Sequence, residues 1–148
     1  MTPAGVDAET VLRRLRLIED ALGALGDLRG VDAVRLGREP LTRAAAERLL
    51  QVVVDLAFDV NGHLAVALLG RAPATGRQSF LDLGEAGVLT LDHAARLAPL
   101  AGLRNVLVHH YAEVRLDLVA DAVVEVLDGF PAYVAAVARC LKDRGIAT

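Results

Sequence analysis

The chain has 148 residues, 54% hydrophobic and 24% charged, a balance that excludes a disordered segment and suits one helical domain over residues 1–148. A net charge of −3 with no Lys/Arg block excludes a protein that coats nucleic acid through bulk electrostatics. A local cationic site stays open, because Lys142 is the only lysine and the other cations are arginines, which grip phosphate with two parallel donors.

Asp7 to Leu28 carries Val11, Leu12, Leu15, Ile18, Leu22 and Leu25 at helical spacing, with Arg13, Arg14, Arg16, Glu19 and Asp20 on the opposite arc. Gly23, Gly26 and Gly30 weaken its end, and Val31 to Pro40 reads as a connector. Thr42 is the expected N-cap of a second helix reaching about Leu69. The β-branched run Val52–Val54 would suit a strand. A span of roughly twenty-five residues without turn residues favours a buried helix instead. Gln51, Asp55, Asp59 and His63 recur every four residues, a polar stripe that must face solvent, a partner or a cleft.

Gly70 to Gly76 with Pro73 forms a loop, and Ser79 to Gly87 a short helix. Asp92 is placed to cap a helix through Leu97, and Pro99 restarts the pattern, which continues to about Tyr111. Leu116 to Lys142 is a last helix, with Val119, Val123, Val126, Leu127, Phe130, Val134, Val137 and Leu141 inward and a kink expected at Gly129 and Pro131. The expected architecture is all-α: a four-helix up-and-down bundle with an extra short helix. With 3% aromatic residues and no Trp, its core is expected to be Leu, Val and Ala. Cys140, the single cysteine, excludes an internal disulfide and reads as a packed thiol. Met1 to Gly5 lacks a signal-peptide pattern, and the apolar runs are broken by Asp, His or Gly; the expected compartment is the cytoplasm, with no membrane partner.

The chemistry concentrates in Arg104-Asn105-Val106-Leu107-Val108-His109-His110-Tyr111. On a helical wheel Leu100, Leu103, Val106, Leu107 and His110 form the core arc. Arg104, Asn105, His109 and Tyr111 lie on the other side, where the short side chains of Ala101, Val108 and Ala112 would floor a shallow cleft. Arg104 and His109 are about 140° apart on a straight helix. Sharing one atom therefore needs a helix that ends near His109, a second copy of the chain, or both. A single Arg, His or Tyr on a helix is usually structural, and His93, beside an N-cap, reads as solvated. Asp55, Asp59 and His63 are too few for a metal site without other ligands. A second wall of the cleft or a dimer interface fits them better, and Asp55 and Asp59 would repel phosphate unless paired with Arg.

The segment Arg104-Asn105-x-Leu107-Val108-His109-x-Tyr111 resembles the R-x4-H-x-Y signature of the HepT-like toxins, small helical ribonucleases of the HEPN superfamily. Glu47-Arg48-Leu49-Leu50-Gln51, Asp55, Asp59, Phe80, Leu83, Gly87-Val88-Leu89, Val114 and Leu118 extend the similarity over roughly residues 10 to 142. The resemblance implies a metal-independent, cofactor-free endoribonuclease toxin of a type VII toxin–antitoxin pair. It implies a homodimer in which two motif copies face each other in a cleft. Arg104 and His109 are the expected catalytic residues, with Asn105 in support. Imidazole titrates near neutrality and so serves as acid or base in attack by a ribose 2′-OH; the guanidinium steadies the charge that develops on the phosphorane. Tyr111 is the implied target of AMP transfer by a cognate minimal nucleotidyltransferase, an ATP-using antitoxin. The alternative is a non-catalytic helical partner that binds nucleotide or substrate for that transferase. A plain structural dimer would leave the Arg–Asn–His–Tyr arc unexplained.

Overall fold

A computed structural model of the chain describes residues 7–109 and 115–144. Among them are seven helices and no strand. α1 (Ala8–Gly26) starts where the Asp7 side chain accepts from the Thr10 N–H, and its apolar stripe is the one its spacing predicts: Val11, Leu15, Ile18 and Leu25 are buried. The connector expected over Val31 to Pro40 contains a helix, α2 (Ala33–Arg38), capped by Asp32 on the Arg35 N–H. α3 (Pro40–Leu69) begins two residues before the expected cap: Pro40 opens it, since its fixed φ suits a first turn and its missing N–H has no helical partner there. Thr42 lies inside the helix and donates its hydroxyl to Glu39. Val52–Val54 are helical, and Gly70 ends α3 at φ 73°, a conformation that an L side chain resists.

α4 (Gly76–Glu85) starts three residues earlier than expected, capped by Thr75. α5 (Leu91–Leu97) is capped by Thr90, not Asp92. α6 (Leu100–His109) follows Pro99, and α7 (Leu116–Asp143) continues through Gly129 and Pro131. Inside α7, Pro131 withholds one backbone donor from the preceding turn. His93 is not merely solvated: its Nε2 lies 2.9 Å from the Gly129 carbonyl. A carbonyl only accepts, so that nitrogen carries the proton, and the contact ties α5 to α7.

The all-helical bundle is the architecture expected from the sequence. α3 is its axis, packed against α1, α2, α4, α6 and α7, while α4, α5 and α6 together form a segmented wall. α3 is also long and apolar enough to cross a membrane, with an 18-residue stretch of mean hydropathy 1.7. Of that stretch 39% is buried, and the helix packs against five others, the position of a core helix. The core is mostly Leu, Val and Ala, but four of the five aromatic residues meet in it. The Phe80 ring lies 6.0 Å from Phe58, 6.4 Å from Phe130 and 6.2 Å from Tyr133, centre to centre, spacings at which edge-on contact is favourable.

One polar thread runs through this core. The Tyr133 hydroxyl donates to Asn61 Oδ1 at 2.6 Å, Asn61 Nδ2 donates to Ser79 Oγ at 3.0 Å, and Ser79 Oγ donates to the Gly76 carbonyl at 2.6 Å. Every member is satisfied, so burial costs little and the register of α3, α4 and α7 is specified. Burial also pushes the Tyr133 phenol well above its ordinary value. Cys140 is buried as expected, and that burial raises its thiol.

Candidate functional site on helix α6

α6 is the least covered of the longer helices. Only Leu100 and Ala101 are buried, while Leu103, Val106, Leu107 and Val108 keep part of their surface. Leu103 and Leu107 lean on the core, which fixes the rotation of the helix. Arg104 is thereby turned toward α3, and Asn105 and His109 are left exposed.

Arg104 and Asp55 meet. Arg104 Nε donates to Asp55 Oδ1 at 2.6 Å, across 49 residues of sequence. A guanidinium held through Nε still presents its two terminal nitrogens, the pair that binds a phosphate side by side. Asp59, one turn further along α3, is engaged by Arg14 of α1, whose Nε donates at 2.9 Å. The polar stripe therefore lies along the seam where α3 meets α6 on one side and α1 on the other, and each carboxylate that would repel phosphate carries an arginine. His63, half-buried, shares a hollow of about 330 Å³ with Phe58, Asp59 and Val66, apart from the Arg104 pair. Among the described residues no three His, Cys, Asp or Glu side chains gather as metal ligands.

Asn105 lines a different hollow, of about 460 Å³, between α6 and the start of α4. On a helical wheel Ala101, Gly102, Asn105 and His109 fall within about 100° of one another, and Arg104 stands apart on the flank. The described part of α6 stops at His109. Tyr111, together with His110, lies outside the described residues. The structure thus joins Arg104 to Asp55 and puts Asn105 and His109 on one exposed stripe of the same helix. It leaves Arg104 and His109 on different sides of that helix.

Two features escaped the sequence. Arg77 sits in the first turn of α4 beside Asn105; the start of α4 was expected at Ser79, so Arg77 read as loop. Thr75 was the missed signal, a threonine cap that accepts from the Gln78 N–H. The Asn61–Ser79–Tyr133 thread was hidden too, because each residue looks like an ordinary helix position until the helices are packed.

The family model described as "Ribonuclease HepT-like" matches residues 12–137. A curated protein named tRNA nuclease HepT, from Aphanizomenon flos-aquae, is 38% identical over 88 residues, 60% of each chain. An mRNA nuclease HepT from Shewanella oneidensis is 28% identical over 88 residues, 60% of this chain and 63% of that one. The match thus spans under two thirds of the length of these curated relatives. A solved structure of a tri-AMPylated Shewanella oneidensis HEPN toxin in complex with an MNT antitoxin superposes with a TM-score of 0.79 at 21% identity, over 90% of this chain and 99% of that chain; at that identity the agreement is one of fold. With a match that takes in every helix from α1 to most of α7, the chain belongs to the ribonuclease HepT-like family.

Proposed function

We propose that the protein is a metal-independent endoribonuclease, the toxin of a toxin–antitoxin pair, with Arg104 and His109 as its catalytic groups. One observation carries this reading: Arg104 is fixed by Asp55 at 2.6 Å while Asn105 and His109 stand exposed on the same helix. That arrangement pre-aims a cation and leaves an imidazole and an amide for a substrate. In the reaction the 2′-OH of a ribose attacks the adjacent phosphorus as a base takes its proton. The P–O5′ bond breaks, and an acid returns a proton to the 5′ oxygen. The products are a 2′,3′-cyclic phosphate and a 5′-OH, so DNA is not cut.

Arg104 and His109 point to different sides of α6. That favours a homodimer in which the exposed face of α6 meets that of a second copy, so that Arg104 of one copy and His109 of the other converge on one phosphate. The half-covered Val106 and Val108 supply apolar surface for such a contact. Tyr111, two residues beyond His109, is the expected acceptor of AMP from an ATP-using nucleotidyltransferase antitoxin: the phenol oxygen attacks the α-phosphate and pyrophosphate leaves. The added phosphate would repel an RNA backbone from the cleft. The expected compartment is the cytoplasm, where RNA and antitoxin meet.

The test is cleavage of RNA by purified protein in EDTA, with the product ends analysed. Cyclic phosphate ends, lost with Arg104→Ala or His109→Ala, support the reading. Cleavage that survives both substitutions comes from a contaminant and overturns it.

A further inference from the structure

The hollow beside Asn105 differs from those at His63, Pro40 and Cys140. It is larger, about 460 Å³, within the range of small-molecule sites. It has Arg77 at its edge and no carboxylate in its lining. The hollow at His63 contains Asp59, the one at Pro40 contains Glu47, and the one at Cys140 contains Asp143. Arg71, six residues before Arg77, is spent on Asp82 and Glu85. Arg77 is exposed and makes no ion pair among the described residues.

The floor is built, not incidental. Phe58 provides it, and Gly76 lies so close to that ring that a Cβ there would come within 2.4 Å of Cζ. The Asn61–Ser79–Gly76 hydrogen bonds hold the first turn of α4 in place. The wall is α6 itself, with Gly102 and Asn105 facing in. One helical turn on, about 6 Å along the axis, the same stripe reaches His109.

We infer that this hollow is a subsite for the nucleotide next to the scissile bond: Arg77 binds the neighbouring phosphate, Asn105 bonds the sugar or base edge, and Phe58 offers an apolar surface to the base. Unstacked bases of single-stranded RNA are read in this way, by aromatic contact and side-chain hydrogen bonds. The inference rests on the nuclease reading, and a ribonucleotide suits the site because it brings an anion, a polar edge and a flat apolar face together.

The experiment uses the full chain and a single-stranded oligoribonucleotide, with a 2′-O-methyl version that cannot be cleaved. Arg77→Ala should weaken binding of the methylated strand about tenfold and flatten the slope of log affinity against log salt by about 0.7, the loss of one phosphate contact. In cleavage assays KM should rise by a similar factor while kcat changes less than about twofold, a split expected from lost binding outside the reacting atoms. Arg77→Lys should recover part of the salt slope, and circular dichroism checks that the fold is kept. If wild-type protein cleaves RNA and Arg77→Ala leaves KM and the salt slope unchanged, the subsite is wrong and the nuclease reading stands. If wild-type protein neither binds nor cleaves RNA, both fall. If Arg77→Ala weakens only the grip of an antitoxin protein, the hollow is a protein-docking place and the inference is overturned.

Discussion

Replacing Asp55 tests how the site is held. Arg104 Nε donates to Asp55 Oδ1 at 2.6 Å, with side chains 27% and 35% exposed. Solvent reaches both groups, so the pair contributes about 0.5–1 kcal/mol to stability. Its larger effect is positional. Without the carboxylate the guanidinium regains its rotamers, and misplacement by about an ångström costs on the order of 10²-fold in rate. Asp55→Ala should therefore lower kcat about 10- to 100-fold, equivalent to about 1.4–2.7 kcal/mol, more than it lowers stability. KM should fall slightly, since a negative charge beside the phosphate is removed. Asp55→Asn keeps an acceptor for the Nε proton and should lose less. The assay pairs steady-state cleavage of a fluorescent oligoribonucleotide with urea unfolding of each variant. A kcat for Asp55→Ala at or above the wild-type value would mean that Asp55 restrains Arg104 and does not aim it.

Three further outcomes follow from the packing. Burial holds the Tyr133 phenol well above its ordinary value. The unfolded chain then releases its proton first as pH rises, so stability is whole below about pH 10 and falls above it, by up to about 1.4 kcal/mol per pH unit for one proton. Urea unfolding at alkaline pH should show this slope, and Tyr133→Phe should reduce it. Asn61→Ala leaves the Tyr133 and Ser79 hydroxyls short of a buried partner and should cost about 1–3 kcal/mol at neutral pH in the same assay. Gly84→Ala would set its Cβ 2.9 Å from the Ala94 Cβ. That atom cannot swing away, so forcing α4 from α5 should cost about 1–3 kcal/mol and lower the melting temperature.

How far the sequence could be read depended on the range of the interaction. Val11, Leu15, Ile18 and Leu25 declared α1 because their spacing is local, and the same holds for the inward row of α7. Short caps were legible but easily misjudged. Asp32 and Thr75 lay inside the stretches read as a connector and a loop, which hid α2 and the start of α4. Pro40 outcompeted Thr42 as a start signal because its ring already has helical φ. Contacts between distant residues left no local trace. The Arg104–Asp55 pair spans 49 positions; the periodic stripe of α3 announced that Asp55 needed a partner without naming it. Likewise the spacing of His93 gave no hint of the Gly129 carbonyl.

The proposed site needs one guanidinium and one imidazole at the same phosphodiester although α6 points them apart. Mixing inactive Arg104→Ala protein with inactive His109→Ala protein tests it directly, with exchange of subunits and single-turnover cleavage as the readout. A site shared between two copies predicts that activity returns, because each mixed pair keeps one intact combination of Arg104 and His109. Mixed pairs that form and remain as inactive as the separate variants would contradict it.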